Sequence, residues 1–266
     1  MMKILIVAVN YNSYQELRGY LLSINKAAQG RNDIYVDVFI ADNSNGKEDI
    51  KDIQLDAINC KQFNFENLGY LGAASKVING TPNISEYDYV AISNVDLTVS
   101  ESFFDVLKKY NIADDVVWIA PQIYSFEENR DRNPKVLNRY TKKKLGLLYY
   151  MYKYPVLFYL YTATAYKRKK LAPNYDEMDI YAGHGSFMLL TRTFFKVVKR
   201  IDYPVFLFGE ELFLAELVKN NGLKVRYVPT LRIEDNEHVS TSRMKKKFYF
   251  KCNTESIKYI LDTFYE

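Results

Sequence analysis

Apolar and polar positions alternate in a regular order along the first 125 residues. Runs rich in β-branched residues predict buried strands, and the segments between them carry helix start and stop signals. The predicted strands cover 3–9, 34–41, 58–65, the apolar part of 87–96 and 116–121, and the predicted helices cover about 14–28, a segment that opens within 67–74 and runs toward 79, and 102–110. Strands that alternate with helices in this way predict an α/β protein with a mostly parallel, doubly wound sheet flanked by helices.

The first helix has signals at both ends. Ser13 and Glu16 have the spacing of a capping box, in which each side chain bonds a free backbone N–H of the first turn. Gly30 is a typical helix stop. We therefore predict a well-defined helix directly after the first strand.

The fourth predicted strand ends abruptly in polar residues, with Asn94 and Asp96 directly after an apolar run. A buried strand delivers such a carboxylate to the carboxyl edge of the sheet, where open α/β sheets bind their ligands. Asn10, Asp42 and Asn67 also follow predicted strands, so they are expected to converge on that edge. A cap on the next helix is the alternative interpretation of Asp96.

The last third of the chain carries further candidate residues. A glycine-rich turn around His184 precedes a strand and a short helix, and its glycines let a backbone lie close to a substrate. Glu210 and Glu211 open a predicted helix, where acids are ordinarily explained by the helix dipole. His238 follows a strand at 224–228 among several acids, so it either ligates a metal or is structural.

Positive charge is concentrated in one segment. The chain has a net charge of +4, but residues 130–170 hold twelve Lys or Arg and one Asp. The apolar, Tyr-rich part at 145–165 suits the interface between water and a bilayer. Lys153 and Pro155 near its middle disfavour a spanning helix, so we predict an in-plane membrane contact. A pair of core or homodimer-interface helices is the alternative.

Other classes of protein are disfavoured. Lys and Arg interleaved with aromatic residues also grip single-stranded nucleic acid, but no nucleic-acid-binding motif accompanies them. Cys60 and Cys252 lie far apart without paired His, which argues against a disulfide framework or a zinc site. The apolar run at 3–9 is too short for a signal peptide. Because the cysteines indicate no disulfide framework, we expect a protein of the reducing cytoplasm, with the predicted membrane contact on the inner face of the cytoplasmic membrane. We divide the chain into an α/β half at 1–125, a basic insertion at 126–176 and a second half at 177–266.

The chain also carries seven motifs in a characteristic order, at 9–12, 41–44, 67–69, 93–96, 183–192, 208–212 and 228–238. Together they resemble family 2 glycosyltransferases with the GT-A fold. The likeness is greatest to the rhamnosyltransferase-like members, which build bacterial surface polysaccharides. Because the set covers nearly the whole chain, it is more specific than any one motif.

The resemblance implies transfer of a sugar, with inversion, from a UDP- or dTDP-linked donor to a saccharide or polyprenyl-linked acceptor. It implies a divalent metal, Mg²⁺ or Mn²⁺, held by Asp96 and His238. Glu211 stands at the place of the family's catalytic Asp, with Glu210 before it, and the sequence leaves open which of the two is the base. The donor-binding positions are Asn10, Tyr11, Asp42, Asn67, Gly69, Asn94 and Asp96, and the acceptor-side positions are Gly183, His184 and Arg192.

Three positions depart from the family pattern. Asn94 and Phe213 stand where relatives often have an acid, and Glu211 replaces an Asp. A catalytically impaired nucleotide-sugar-binding relative is therefore an alternative. A sugar-1-phosphate nucleotidyltransferase is another, although it would carry a glycine-rich basic loop after the first strand, which residues 10–12 do not resemble.

Overall fold

A computed structural model describes residues 1–164, 175–236 and 245–265. In these ranges ten strands form one mixed sheet, and eight α-helices accompany it. The strands are β1 Met2–Asn10, β2 Ile34–Asp42, β3 Asn59–Asn64, β4 Tyr89–Ser93, β5 Leu97–Val99, β6 Val116–Ser125, β7 Arg130–Asp131, β8 Met178–Ile180, β9 Phe187–Thr191 and β10 Lys224–Asp235. The helices are α1 Tyr14–Ala28, α2 Tyr70–Gly80, α3 Phe103–Lys109, α4 Lys142–Lys153, α5 Pro155–Thr164, α6 Arg192–Val197, α7 Glu210–Asn220 and α8 Lys246–Phe264.

The strand order across the sheet is β3-β2-β1-β4-β9-β6-β10-β5. β1 pairs in parallel with β2 and β4, whereas β9 runs antiparallel between β4 and β6. The register places Asn10 beside Asp42, and Ser93 beside Phe187. The ends of β1, β2 and β4 therefore meet the start of β9 at one edge of the sheet, which we call the carboxyl edge.

The central strands are buried on both faces, which explains their continuous apolar sequence. Successive side chains of a strand point to opposite faces. Leu5 and Val7 pack in a core with α2, α7 and α8, while Ile4 and Ile6 pack in a second core with α1 and α3. The sheet thus separates two layers of helices, as the alternating order of elements predicted.

Strand and helix positions follow the sequence closely, with three differences. β6 and β10 extend to Ser125 and Asp235, past the predicted ends at 121 and 228. β5, β7 and β8 were not predicted, because strands of two or three residues are too short for a pattern to reveal. The predicted capping box does not form: the Ser13 hydroxyl donates to the Tyr11 carbonyl, and the Ser13 N–H donates to Asn10 Oδ1.

The basic insertion contains two helices attached to the second half of the chain. α4 packs along α8 and buries Leu145 and Met151. Before α4, Arg139 forms a two-point ion pair with the buried Glu216 carboxylate of α7, with Nε–Oε1 at 2.7 Å and Nη2–Oε2 at 3.0 Å. None of the helices in the described ranges combines the length and the apolar character needed to cross a membrane.

Candidate active site

One side of a candidate site lies where β1 and β2 end. Asn10 and Asp42 are fully buried, and Asn10 Nδ2 donates to Asp42 Oδ1 at 3.2 Å and to Ser44 Oγ at 3.1 Å. Asp42 Oδ2 accepts hydrogen bonds from the Tyr14 hydroxyl at 2.6 Å and from Gln62 Nε2 at 3.0 Å. Because both oxygens are occupied, Asp42 orders the loops after β1 and β2 and has no exposed oxygen to offer a ligand.

The same contacts keep Asp42 ionised. Burial on its own would raise the pKa of Asp42, but hydrogen bonds from Ser44 and Tyr14 outweigh it, and the pKa lies below its usual value. Tyr11 is the exposed residue of this group, with 43% of its surface accessible. An aromatic ring in this position suits stacking on a nucleotide base.

Asn67 and Gly69 lie on the loop that leads into α2. Asn43 holds this loop, because its Nδ2 donates to the Gly69 carbonyl at 2.9 Å. Gly69 has a φ of +75°, and a Cβ there would lie 1.8 Å from the carbonyl oxygen of Phe206. A glycine is needed for this close approach. The loop is therefore packed directly against the segment that leads to Glu210.

Tyr70, at the start of α2, links the predicted carboxylates. Its hydroxyl donates to the Gly185 carbonyl at 2.8 Å. Its pKa is raised well above the usual value, first by burial and then by the negative charges of carboxylates that include Glu210, Asp96 and Glu211. We call the space around this hydroxyl the cleft, because the loop whose Gly185 carbonyl it bonds contacts both Asn94, after β4, and Glu211, at the start of α7.

The loop before β9 forms another wall of this cleft. The Asn94 N–H donates to the Ser186 carbonyl at 2.8 Å, which ties the end of β4 to this loop. Glu211 Oε2 lies 3.6 Å from the place that a Cβ on Gly185 would take. The loop at 185–186 thus joins the end of β4 at Asn94 to the start of α7 at Glu211, although these residues are far apart in the chain.

The turn before α7 has an unusual backbone. Phe208 has a φ of +71° and Gly209 a φ of +77°, a region that a phenylalanine rarely occupies. The Tyr203 hydroxyl holds the turn by donating to the Phe208 carbonyl at 2.6 Å. Strained residues of this kind cluster at functional sites. Here the turn sets the direction of Glu210 and Glu211.

The two glutamates have different surroundings. Glu210 is 6% exposed, and its Oε1 accepts the N–H of Phe208 at 2.9 Å. Burial, together with the charge of Glu211, raises the pKa of Glu210 to about 8. Glu211 is only half-buried and faces the loop at Gly185. The arrangement favours Glu211 as the carboxylate that reaches an acceptor, with Glu210 as its buried neighbour.

The raised pKa of Glu210 predicts a pH-dependent stability. Between the ordinary pKa of 4.5 and about 8, the folded protein holds a proton that the unfolded chain has lost. The stabilisation is complete below the ordinary pKa and is lost as the pH rises through the folded value. Glu210→Gln cannot ionise, so wild type should lose about 4 kcal/mol relative to this variant between pH 5 and pH 9. Urea unfolding at both pH values measures this difference. The exposed Glu255→Gln should show no such change, and parallel curves for wild type and Glu210→Gln would contradict the assignment.

His184 and Gly183 were predicted on the acceptor side. The His184 N–H donates to Asn133 Oδ1 at 2.7 Å, and the ring Nδ1 lies 2.9 Å from Ser186 Oγ. Burial lowers its pKa well below the usual value, and nearby positive charges add to this effect. His184 is therefore neutral at pH 7. Gly183 faces the core instead, since a Cβ there would lie 2.8 Å from the Ala120 Cβ.

Arg192 does not reach the carboxyl edge, which corrects its predicted acceptor-side position. Its Nη2 donates to the Glu86 carbonyl at 2.9 Å and pairs with Asp88 Oδ1 at 2.9 Å. Both partners precede β4, at the opposite edge of the sheet. The reason is that β9 runs antiparallel to β4. Residues before β9 therefore lie at the carboxyl edge, and residues after it lie at the opposite edge.

The predicted metal ligands are Asp96 and His238, of which His238 lies outside the described residues. Asp96 is half-buried at the carboxyl edge, and its carbonyl accepts the Asn236 N–H at 3.1 Å. Within the described ranges, no three metal-ligating side chains cluster together. A single carboxylate nevertheless fits Mg²⁺ or Mn²⁺, which commonly take their remaining ligands from water and substrate phosphates. Asp96 would hold such an ion together with a diphosphate, and the ion would offset the charge of that group.

Sequence reasoning missed several site residues. Tyr14, Tyr20 and Tyr70 all place hydroxyls at the carboxyl edge, and the Tyr20 hydroxyl donates to Ser93 Oγ at 2.9 Å. Each lies on a helix within an apolar pattern, where a tyrosine is not distinguished from a core residue. The motif at 41–44 did contain Asn43, whose role in holding Gly69 depends on a contact between distant loops.

The chain was compared with protein-family models, curated proteins and solved structures, and only the solved structures gave matches. No protein-family model matches the sequence, and no curated protein matches it. Among solved structures, the chain is similar to GalNAc-T7 crystallised with UDP, GalNAc and Mn²⁺, with a TM-score of 0.61, 14% identity and coverage of 98% of this chain and 48% of that chain. It is also similar to S. aureus TarS 1-349, with a TM-score of 0.53, 9% identity and coverage of 99% and 73%.

Both neighbours are GT-A-type glycosyltransferases, so the predicted GT-A fold is confirmed. This chain spans about half the length of the GalNAc-T7 chain. At these identities the likeness concerns the fold. The rhamnosyltransferase-like subfamily stays a prediction.

Proposed function

We propose that this protein is a glycosyltransferase that moves a sugar from a nucleotide-diphosphate donor to a saccharide acceptor. The observation that carries the proposal is that the loop at 185–186 contacts the Tyr70 hydroxyl, Asn94 after β4 and the Glu211 carboxylate, all at the carboxyl edge. A GT-A fold supplies the framework, and the similar GalNAc-T7 structure holds UDP, GalNAc and Mn²⁺. The chemistry of transfer needs a place for a diphosphate and a base for the acceptor, and the cleft offers carboxylates for both.

On the donor side, we assign base and ribose binding to Tyr11 and the backbone around Asn10. The buried Asp42 positions these groups through its hydrogen bonds. The loop at Asn67 and Gly69 forms the adjoining wall. Asn94 and Asp96 would face the diphosphate, with Asp96 holding the divalent ion. UDP and dTDP are the nucleotides that the resemblance favours.

On the acceptor side, we assign the base to Glu211. The acceptor oxygen would form a bond to the anomeric carbon while the bond from that carbon to the diphosphate oxygen breaks. The Glu211 carboxylate would take the proton of the acceptor hydroxyl, and the nucleoside diphosphate would leave with the bonding electrons. A single displacement of this kind inverts the anomeric centre. Glu210, protonated at neutral pH, places no second charge beside the base.

Phe213 was one of the departures that suggested a catalytically impaired nucleotide-sugar-binding relative. It is 3% exposed, and its ring centroid lies 4.8 Å from that of Tyr203. This side chain is part of the core, so the departure at Phe213 does not remove an acid from the cleft of this protein. The nucleotidyltransferase alternative is disfavoured because the loop after β1 presents Tyr11 and no basic residue.

We also propose that the reaction serves the synthesis of a bacterial surface polysaccharide, on a saccharide or polyprenyl-linked acceptor. Support for this part comes from the sequence resemblance to rhamnosyltransferase-like enzymes. Synthesis of such polymers requires repeated transfer of activated sugars, which suits a nucleotide-sugar donor.

Thermal unfolding in the presence of candidate donors tests the donor assignment. UDP- or dTDP-sugars should raise the unfolding temperature, because a ligand that binds only the folded state stabilises it by about 2.7 kcal/mol at a hundred times its dissociation constant. Mn²⁺ should increase this stabilisation in wild type and do so much less in Asp96→Asn. Asp114→Asn, exposed before β6 at the opposite edge, is the matched control. A response to GDP-sugars alone would contradict the assignment, and no response to any nucleotide would contradict the proposed function.

A further inference from the structure

The two helices of the basic insertion present an apolar surface to solvent. α5 has no buried residue, and α4 has two. Of the sixteen exposed large hydrophobic side chains in the described residues, eight lie within fifteen residues of one another. Apolar residues scattered singly over a surface are normal, but such a cluster marks an interaction site. We call it the α4–α5 face: Leu147, Tyr150, Tyr154, Val156, Leu157, Tyr159, Leu160 and Tyr161.

The opposite side of the two helices is already packed. Tyr152 and Phe158 contact Phe250 of α8, with ring centroids at 6.2 Å and 5.4 Å. These contacts join the insertion to the second half of the chain. The side chains of the α4–α5 face, by contrast, are exposed to solvent, although the Tyr159 ring also contacts Phe250.

Basic residues surround this face. Lys142, Lys143, Lys144 and Lys153 are exposed on α4 or at its end. Lys246, at the start of α8, places its Nζ 5.9 Å from the centroid of the Tyr159 ring. The sequence has no Asp or Glu from 132 to 175. The face is thus apolar at its centre and cationic around it, and its own segment of the chain supplies no acid.

We propose that the α4–α5 face docks this protein on an anionic lipid bilayer. Val156, Leu157 and Leu160 would enter the boundary of the acyl chains, while the Tyr hydroxyls and Lys ammonium groups lie among the headgroups. Anionic headgroups attract such lysines, which strengthens the binding. With twelve and ten residues, α4 and α5 are too short to span a bilayer and suit an orientation in its plane.

Other occupants fit the face less well. In a symmetric dimer of this chain, the lysines of one copy would lie against those of the other, with no acid in either segment to pair with them. Single-stranded nucleic acid would match the charge. Its bases stack on aromatic rings, however, and the aliphatic side chains of Val156, Leu157 and Leu160 offer no such stacking.

The face lies beside the acceptor side of the cleft. Ring contacts lead from Tyr159 to Phe250 at 5.9 Å, from Phe250 to Tyr249 at 5.6 Å and from Tyr249 to Phe208 at 5.3 Å. Phe208 belongs to the turn that sets the direction of Glu211. A protein docked in this way would hold its cleft close to the bilayer. The docking itself does not depend on the proposed transferase activity.

Flotation of the full chain with vesicles tests the proposal in the absence of any donor. Wild type should float with vesicles of equal phosphatidylglycerol and phosphatidylcholine, and much less with phosphatidylcholine alone or at high salt. Val156→Gln combined with Leu160→Gln should lower the affinity at least about tenfold, because two inserted aliphatic side chains are lost. Leu22→Gln, which alters a leucine of 49% exposure on α1, is the matched control and should bind as wild type does.

A second variant tests the charge separately. Lys142→Glu combined with Lys143→Glu should preserve α4, since acids are favourable in a first helical turn, yet abolish the preference for anionic vesicles. Absence of wild-type binding to the anionic vesicles would overturn the proposal, as would unchanged binding of both double variants. A dimer that Val156→Gln/Leu160→Gln dissociates, without vesicle binding by wild type, would assign the face to a second copy.

Discussion

Glu211→Gln should lower turnover about a thousandfold while leaving donor affinity nearly unchanged. The amide keeps the size of the side chain and its place beside Gly185, but it cannot accept the proton of an attacking hydroxyl. Release of nucleoside diphosphate from a UDP- or dTDP-sugar, with water or a saccharide as acceptor, measures turnover. Calorimetric titration of the nucleotide measures donor affinity.

Two controls make this result specific. Glu255→Gln, an exposed change on α8, should retain full turnover. Glu210→Gln should have a smaller effect than Glu211→Gln, because Glu210 is buried and already protonated at neutral pH. A larger loss for Glu210→Gln would transfer the role of base to that residue. Nucleotide binding by wild type without turnover for any sugar or acceptor would instead identify a binding protein.

Gly69→Ala should destabilise the protein by about 3 kcal/mol or more and abolish donor binding. The new Cβ would stand 1.8 Å from the Phe206 carbonyl oxygen, a backbone atom that cannot move aside alone. Either the loop before α2 or the segment leading to Glu210 must shift, and both line the cleft. Urea unfolding measures the loss of stability, and nucleotide titration measures the loss of binding.

Gly30→Ala separates the effect of crowding from that of backbone conformation. Gly30 has a φ of +76°, close to that of Gly69, but nothing lies within 4 Å of the position that its Cβ would take. The alanine there should therefore cost only about 1 kcal/mol, the penalty of the left-handed conformation. Equal destabilisation by the two substitutions would show that Gly69 is not held against Phe206 as the structure has it.

The sequence predicted the frame of the site well because the relevant signals are local. A strand buried on both faces needs a continuous apolar run, and the run stops where the strand leaves the sheet. Asn10, Asp42 and Asp96 follow such runs on parallel strands, so their common edge follows from topology. The helix that begins at Glu210 was likewise predicted from the acids in its first turn.

The other site residues could not be predicted, because their roles depend on contacts between segments far apart in the chain. The roles of Tyr14, Tyr70 and Asn43 depend on partners in other loops, and no local pattern marks them. The difference in burial between Glu210 and Glu211 was also not predicted. It follows from the turn at Phe208, whose left-handed conformation is held by Tyr203.

By itself, the sequence determined the order of strands and helices, the residues that end the parallel strands and the basic, apolar character of the insertion. These features follow from hydrophobic period and composition, which act within a few residues. The tertiary structure alone decided that β9 enters the sheet in the antiparallel sense, which brings the His184 loop into the cleft and sends Arg192 to the far edge. Strand direction depends on pairing between segments about a hundred residues apart, and a local sequence pattern cannot indicate it.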